Sequence, residues 1–222
     1  MRLEAVSTEG SRAAIRDLGV DFLRECFECD FETGVLTWKK RPDEHFVTAR
    51  SAHAWNRKLA GKVAGGLTDQ GYRVMPVTKE GSSRYRVRAS HVVWVLAGNL
   101  LPDDMQLDHV NRTPDDNRLC NLRLVTSAQN AWNRTYRSGK SGIVGVTWMP
   151  NAKTWRATIY ADGKTITLGF FEFIQDAVNA RREAELKYRG KYCVHADQTA
   201  KLDPTPFLTP AEEMWVNSIG NL

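Results

Sequence analysis

No run in the 222-residue chain approaches the roughly 18 consecutive apolar residues that a membrane-spanning helix needs, so no membrane segment is expected. Cysteine is scarce. The four present (Cys26, Cys29, Cys120 and Cys193) are too few for a disulfide framework in a chain this size, which predicts a reduced, cytoplasmic protein. The opening MRLEAVSTEGSR has no apolar core and no cleavage-site pattern, so no secretion signal is expected. A glycine-rich phosphate loop, a Ser/His/Asp arrangement and an internal repeat are also missing, which leaves nucleotide-loop, triad-hydrolase and solenoid readings without support.

What is present is ordinary globular composition, 42% apolar and 26% charged, enough for one large or several small domains. The net charge of +5 is unevenly spread. Residues 1–82 carry +1, 83–137 carry +3, 138–192 carry +4, and an acidic tail over 193–222 carries −3. A basic middle is what a polyanion partner such as nucleic acid requires.

Residues 1–16 read as polar and loose, and 21–29 as a short helix. The string DFETGVLTW places a Thr33-Gly34 turn between extended segments. Residues 40–60 read as charged and irregular. Strand, turn and strand follow from Gly61 to Ala89, with basic residues alternating at Arg84, Arg86 and Arg88. Ser90 then caps a helix through HVVWVLAG. A strand ends in Asp108-His109. A polar loop leads to a second strand, NLRLVT, and Thr126 or Ser127 caps a helix that carries Asn130. Beyond SGKSG come three alternating runs, VGVTWM, WRATIYA and TITLGFF, the last two joined by Asp162-Gly163. A helix over 173–188 with an alanine-rich face follows, and Thr209-Pro210 opens a terminal helical turn. The domains expected are 1–60 (N-terminal extension), 61–137, 138–192 and the tail over 193–222.

Asp108, His109, Asn121 and Asn130 form an ordered set on strand, strand and helix. A carboxylate and an amide carbonyl are oxygen ligands that suit a hard divalent cation. His109, on the opposite pleat to Asp108, can take a proton from an attacking water if its ring is neutral. Asn121, across the hairpin, is placed to fix the tautomer. Singly, each of these residues reads as a turn or strand end; the order of the set carries the reading, which is phosphodiester hydrolysis.

The stretch SHVVW…LP…QLDHVNRTPDDNRLCNLRLVTSAQNAWNR resembles HNH endonucleases of the phage homing type, built on a ββα-metal finger. The resemblance implies Asp108 and Asn130 as ligands of one Mg²⁺ (or Mn²⁺), His109 as general base and Asn121 as the residue that orients it. The separations, 12 residues from His109 to Asn121 and 22 from Asp108 to Asn130, fit that type. Arg112 stands where the family commonly has a loop glycine. Arg112, Arg118, Arg123 and Arg134 are expected at DNA phosphates.

Residues 138–192 resemble an Apetala-2 (ethylene-response-factor) type DNA-binding domain, through Gly145-Val146, Trp155, Ala157, Ile159, Gly163-Lys164, Leu168-Gly169, Phe171, Ala177, Ala180 and Gly190. Strand alternation independently turns Trp155, Ala157 and Ile159 toward the helix. Arg156, Thr158 and Tyr160 then point outward with Thr165 and Thr167. With Lys140 and Thr147, these outer residues are the expected DNA contacts, a sheet face laid into a major groove. Trp148 and Trp155 read as core.

The fold class expected is α+β: a ββα-metal nuclease core preceded by a helix and β-hairpins, and followed by a three-stranded antiparallel sheet packed on one helix. The function expected is a metal-dependent, site-specific DNA endonuclease of homing type, nicking because each chain has one site, in the cytoplasm of an infected host. Double-stranded DNA is the partner, and monomer and dimer stay open. The alternative is a non-catalytic DNA-binding protein that uses the nuclease unit as a scaffold. No structural zinc is expected, because Cys26-x-x-Cys29 lacks a second pair.

Overall fold

The computed structural model describes residues 6–79, 83–133 and 141–193. The expected terminal turn at Thr209-Pro210, the acidic tail beyond Cys193, Arg134 and Lys140 lie outside the described residues. The chain divides into two compact units, Met1–Ala128 and Gln129–Leu222. Among the described residues no helix is long and apolar enough to cross a membrane.

The first unit opens with α1 (Thr8–Leu18), where a loose segment was expected. Two local features override the polar composition. Ser7 caps the helix by accepting from the Gly10 N–H at 2.9 Å, and Ser11, Ala14, Ile15 and Leu18 recur on one buried face. After α2 (Val20–Cys26) the chain turns at Phe27 into a hairpin of β1 (Phe27–Asp30) and β2 (Val35–Trp38), so the helix expected over 21–29 stops short. The segment expected to be irregular over 40–60 contains α3 (Ala49–Leu59). A capping box between Thr48 and Ser51 starts that helix.

A three-stranded antiparallel sheet follows, β3 (Gly66–Leu67), β4 (Arg73–Lys79) and β5 (Ser83–Arg88), and leads into α4 (Ala89–Leu96). Its N-cap is Arg88; Ser90 lies inside the first turn and is buried, so it does not cap. Then β6 (Gln106–His109) and β7 (Leu122–Val125) pair antiparallel, with Asp108 opposite Arg123 and His109 opposite Leu122, and α5 (Ser127–Trp132) begins two residues later.

One hydrophobic core joins Ala14, Ile15 and Leu18 of α1, Leu36 and Trp38 of β2, Met75, Val77 and Val87 of the sheet, Val92 and Val93 of α4, and Leu122 of β7. The boundary expected at 60/61 falls inside that core. The extension therefore shares its stabilising burial with the strands that carry Asp108 and His109.

In the second unit β8 (Val146–Met149), β9 (Thr154–Ala161) and β10 (Lys164–Phe171) form an antiparallel sheet in the order β10-β9-β8, covered by α6 (Ile174–Arg189). Asp162 and Gly163 turn the β9–β10 hairpin with φ of +52° and +75°, the left-handed pair that a tight hairpin needs. Val146, Trp155, Ala157, Ala177 and Val178 make the core, with Leu168, Phe171 and the half-buried Trp148 against it. Phe173, the first residue of the helix expected over 173–188, is instead its N-cap and stands 65% exposed. The inner face also buries Arg181, whose Nε donates to Glu185 Oε1 at 3.0 Å, so it is not purely apolar.

Candidate active site and nucleic-acid interface

The β6–β7 pair places Asp108 and His109 at the end of a strand, both buried. Arg123, directly across the ladder, sets Nε and an NH2 nitrogen against Asp108 Oδ2, each at 3.0 Å. Two expected roles meet here, since the metal-ligand carboxylate and a phosphate-contact arginine neutralise each other. A buried position that holds a guanidinium against a carboxylate accommodates a cation.

The donor chemistry decides which cation fits. Among the described residues no three His, Cys, Asp or Glu side chains gather into a metal-holding group. An ion at Asp108 would rest on one carboxylate together with amide, water or phosphate oxygen. That set fits Mg²⁺ or Mn²⁺ better than zinc. Asn130, the expected amide ligand, is half-buried on α5, in the second unit. At the C-xx-C pair, burial pushes the Cys26 thiol up to about 12 and that of Cys29 to about 11, so both stay protonated.

His109 Nε2 lies 3.2 Å from Asn117 Oδ1. Asn117 spends its amide nitrogen on the Asp115 carbonyl at 3.1 Å, so its oxygen faces the ring and accepts. In the neutral ring the proton is therefore on Nε2 and the lone pair on Nδ1. Burial holds the His109 pKa below the usual imidazole value, against the opposing effects of the Asn117 hydrogen bond and of Asp108. The Tyr72 ring packs at 6.1 Å from the imidazole, and Arg88 lies over Tyr72 at 4.5 Å.

Asn121, expected to orient His109, is engaged elsewhere. Its Oδ1 accepts from the Asn111 N–H at 3.0 Å, and its Nδ2 donates to Asn111 Oδ1 at 3.0 Å and to the Asp116 carbonyl at 2.7 Å. Asn121 thus clamps the loop between the strands, and the residue on the ring is Asn117. Its signal was in the sequence, as the Asp116-Asn117-Arg118 string inside the loop.

The expected phosphate contacts divide. Arg118 makes a two-pronged pair with Asp116 at 2.8 and 2.7 Å, which holds that carboxyl at about 2. Arg112 is exposed in the loop with φ of +63°, a left-handed conformation that explains why a glycine is usual there. On the β4–β5 hairpin Arg84 and Arg86 are exposed, whereas Arg88 is tied to the Val6 carbonyl at 2.8 Å and Thr8 Oγ1 at 3.2 Å.

In the second unit the register sets six of the expected outer-face residues on one face: Thr165 opposite Tyr160, Thr167 opposite Thr158, and Thr147 opposite Arg156. A bulge between Thr167 and Gly169 shifts the alternation by one and brings Phe170, 61% exposed, opposite Arg156. Phe170 was missed. A glycine within the strand pattern, Gly169, was the only hint of the bulge.

The family described as HNH endonuclease matches residues 87–132, which span β6, the loop, β7 and α5. Protein 3.8 of Escherichia phage T7 is 35% identical over 82 residues, covering 36% of this chain and 68% of that protein. No solved structure matches.

Proposed function

The chain carries an HNH endonuclease domain over residues 87–132 and is a relative of Protein 3.8 of phage T7, and from that premise we propose that it is a metal-dependent, site-specific DNA endonuclease of the homing type that nicks one strand. The observation that carries this reading is the buried His109 ring, held through Nε2 at 3.2 Å from Asn117 beside the buried Asp108. A buried imidazole fixed in one tautomer and kept neutral is what a general base for water requires.

The Asp108 carboxylate would hold Mg²⁺ or Mn²⁺, with amide, water or phosphate oxygens completing the set. The bound ion would supply charge neutralisation at the scissile phosphate and the leaving oxygen. His109 Nδ1 takes the proton of the attacking water, while Asn117 keeps the other proton on Nε2. Asn121 keeps the loop closed through its bonds to Asn111 and Asp116, so Asn117 stays against the ring. Arg123, paired to Asp108 by a charge-assisted bond, is positioned to turn to a phosphate oxygen once a cation neutralises that carboxylate.

DNA affinity rests on two basic surfaces. The outer sheet face of the Apetala-2-like unit offers the half-buried Arg156, opposite Thr147 and Phe170 on the neighbouring strands. Phe170 and Tyr160 supply apolar contact to bases. In the nuclease unit, residues 73–88 hold five basic side chains and one acidic. Of these, Arg84 and Arg86 are exposed on one face of β5. Side chains two apart on a strand repeat every ~6.8 Å, so the two guanidiniums can each meet a separate phosphate.

The test of the function is supercoiled plasmid, and DNA of a phage host, incubated with the full chain in Mg²⁺ or Mn²⁺ and again in EDTA. Metal-dependent nicking is expected; DNA binding with no cleavage in either metal would favour the non-catalytic reading. For the β5 surface, each phosphate contact contributes about 0.9 to the slope of log affinity against log salt. The Arg84→Ala/Arg86→Ala variant should therefore bind DNA in EDTA with a slope smaller by about 2. An unchanged slope would remove this surface from the footprint.

A further inference from the structure

The string around Thr33-Gly34 stands out in the sequence, yet the cleavage chemistry leaves it without a role. In the structure it is a stiff turn. Asp30 Oδ1 accepts from the N–H groups of Glu32 at 2.9 Å and Thr33 at 3.2 Å, and Gly34 N–H closes on the Asp30 carbonyl at 2.8 Å. The turn presses directly on the loop that carries Asn117. The Leu119 N–H donates to the Phe31 carbonyl at 3.1 Å. A Cβ built on Gly34 would lie 2.2 Å from the Asn117 carbonyl carbon, 2.3 Å from the Arg118 nitrogen and 2.6 Å from the Asn117 oxygen. These are backbone atoms, which cannot swing aside as a flexible side chain would. On its other side Asn117 is bonded to the Asp115 carbonyl, and the Asp115 carboxylate is held by Arg73 of β4 through two bonds at 2.9 and 2.8 Å. Asn117, 2% exposed, is therefore gripped from both sides, with its amide oxygen on His109.

We infer that the β1–β2 turn is part of the cleavage apparatus: Gly34 is a positioning residue that sets the Asn117 backbone, and through Asn117 it sets the His109 ring. This rests on the nuclease reading above. A side chain at position 34 would displace the Asn117 backbone by an ångström or more, which takes its amide oxygen off Nε2 and frees the ring to adopt either tautomer.

Gly61 provides the control. Its φ of +78° nearly equals the +71° of Gly34, so alanine is equally strained at both, but nothing lies within 4 Å of a Cβ at 61. In the full chain, the turnover of plasmid nicking in Mg²⁺ and the DNA affinity in EDTA are compared for Gly34→Ala, Gly61→Ala, Asn117→Ala and the Gly34→Ala/Asn117→Ala double variant. Gly34→Ala should lower turnover about 10²-fold, as misplacement by about 1 Å does, with affinity changed less than about threefold. Gly61→Ala should leave turnover within about twofold of wild type. The double variant should be no slower than Asn117→Ala, because both changes act through one contact. A Gly34→Ala loss matched by Gly61→Ala, or multiplying with Asn117→Ala, overturns the inference.

If Gly34→Ala does not fold by circular dichroism, Asp30→Ala loosens the same turn from an exposed position. A several-fold loss of turnover that vanishes in the Asn117→Ala background upholds the coupling; unchanged turnover overturns it. The imidazole ¹⁵N spectrum gives a readout that needs no cleavage. His109 should appear as the Nε2–H tautomer in wild type and as a mixture when the turn is altered, and an unaltered ring overturns the coupling. A wild-type chain that nicks nothing in either metal removes the nuclease reading, while these spectra still decide whether Gly34 sets the ring.

Discussion

His109→Ala is expected to lower DNA nicking in Mg²⁺ by about 10²–10⁴-fold, the usual contribution of a general base, while DNA affinity measured in EDTA changes less than about twofold. The asymmetry follows from where the ring sits. His109 is 7% exposed, its Nε2 is used by Asn117, and the basic groups proposed to hold DNA lie on β5 and on the β8–β10 sheet. Removing the ring deletes the proton acceptor and leaves those surfaces intact. Asn117→Ala should show a milder loss in the same parameter, because the base is kept and only its tautomer is released. Equal loss of binding and cleavage in His109→Ala would mean that the residue supports the fold rather than the chemistry.

Acid should destabilise the first unit well before ordinary carboxylates titrate. His91 is 1% exposed on α4, with Nδ1 at 2.9 Å from Ser11 Oγ. Ser11 Oγ also accepts from the Arg88 N–H at 2.9 Å, and its hydroxyl proton is available to Nδ1 of a neutral His91 ring. Burial, with Arg88, Arg12 and His109 adding to it, pushes the His91 pKa down to about 3. His45 shifts the same way, mainly by burial. Its Nδ1 accepts from Arg41 Nε at 3.2 Å, and the pull of Glu25 on Nε2 at 2.7 Å only partly offsets the shift.

For groups with lowered folded pKa values, the unfolded chain binds more protons. Their stabilisation is complete above the unfolded value near 6.5 and is lost as pH falls toward the folded value. At about 1.4 kcal/mol per pH unit, His91 alone removes roughly 3 kcal/mol between pH 6.5 and 4.5, a large share of a typical 5–15 kcal/mol. Urea midpoints from pH 7 to 4 should fall steeply in wild type and less steeply in His91→Gln. Identical acid slopes would show that the proton taken up on unfolding belongs to another group.

Much of this was legible one residue at a time. Period-two alternation told which faces of β9 and β10 carry Trp155 and which carry Tyr160, because side chains on a strand point to alternate sides whatever the rest of the chain does. Asp162-Gly163 announced its hairpin because two left-handed residues in a row suit few other structures. The string ending in Asp108-His109 announced β6, and NLRLVT announced β7 beside it, because both are short alternating runs bounded by a polar loop. The misses have physical causes as well. Composition over 1–16 and 40–60 is polar, but a cap and one buried face are enough for a helix, and caps are single residues that composition averages away. Phe170 changed sides because one extra residue in a bulge inverts every orientation after it.

By itself the sequence determined the local chemistry: a carboxylate, an imidazole and amides at fixed separations, a basic middle, and two sheets with known faces. The tertiary structure decided which amide meets the imidazole. Asn117 and Asn121 are both asparagines of one loop, and the separation that favoured Asn121 was sound as a count along the chain. The choice between them was made by contacts the count does not contain. Gly34 closes on the Asn117 backbone from more than eighty residues upstream, and Arg73 holds Asp115 from more than forty. Only packing of one core brings such distant segments together, so only the folded chain could assign the proton on His109.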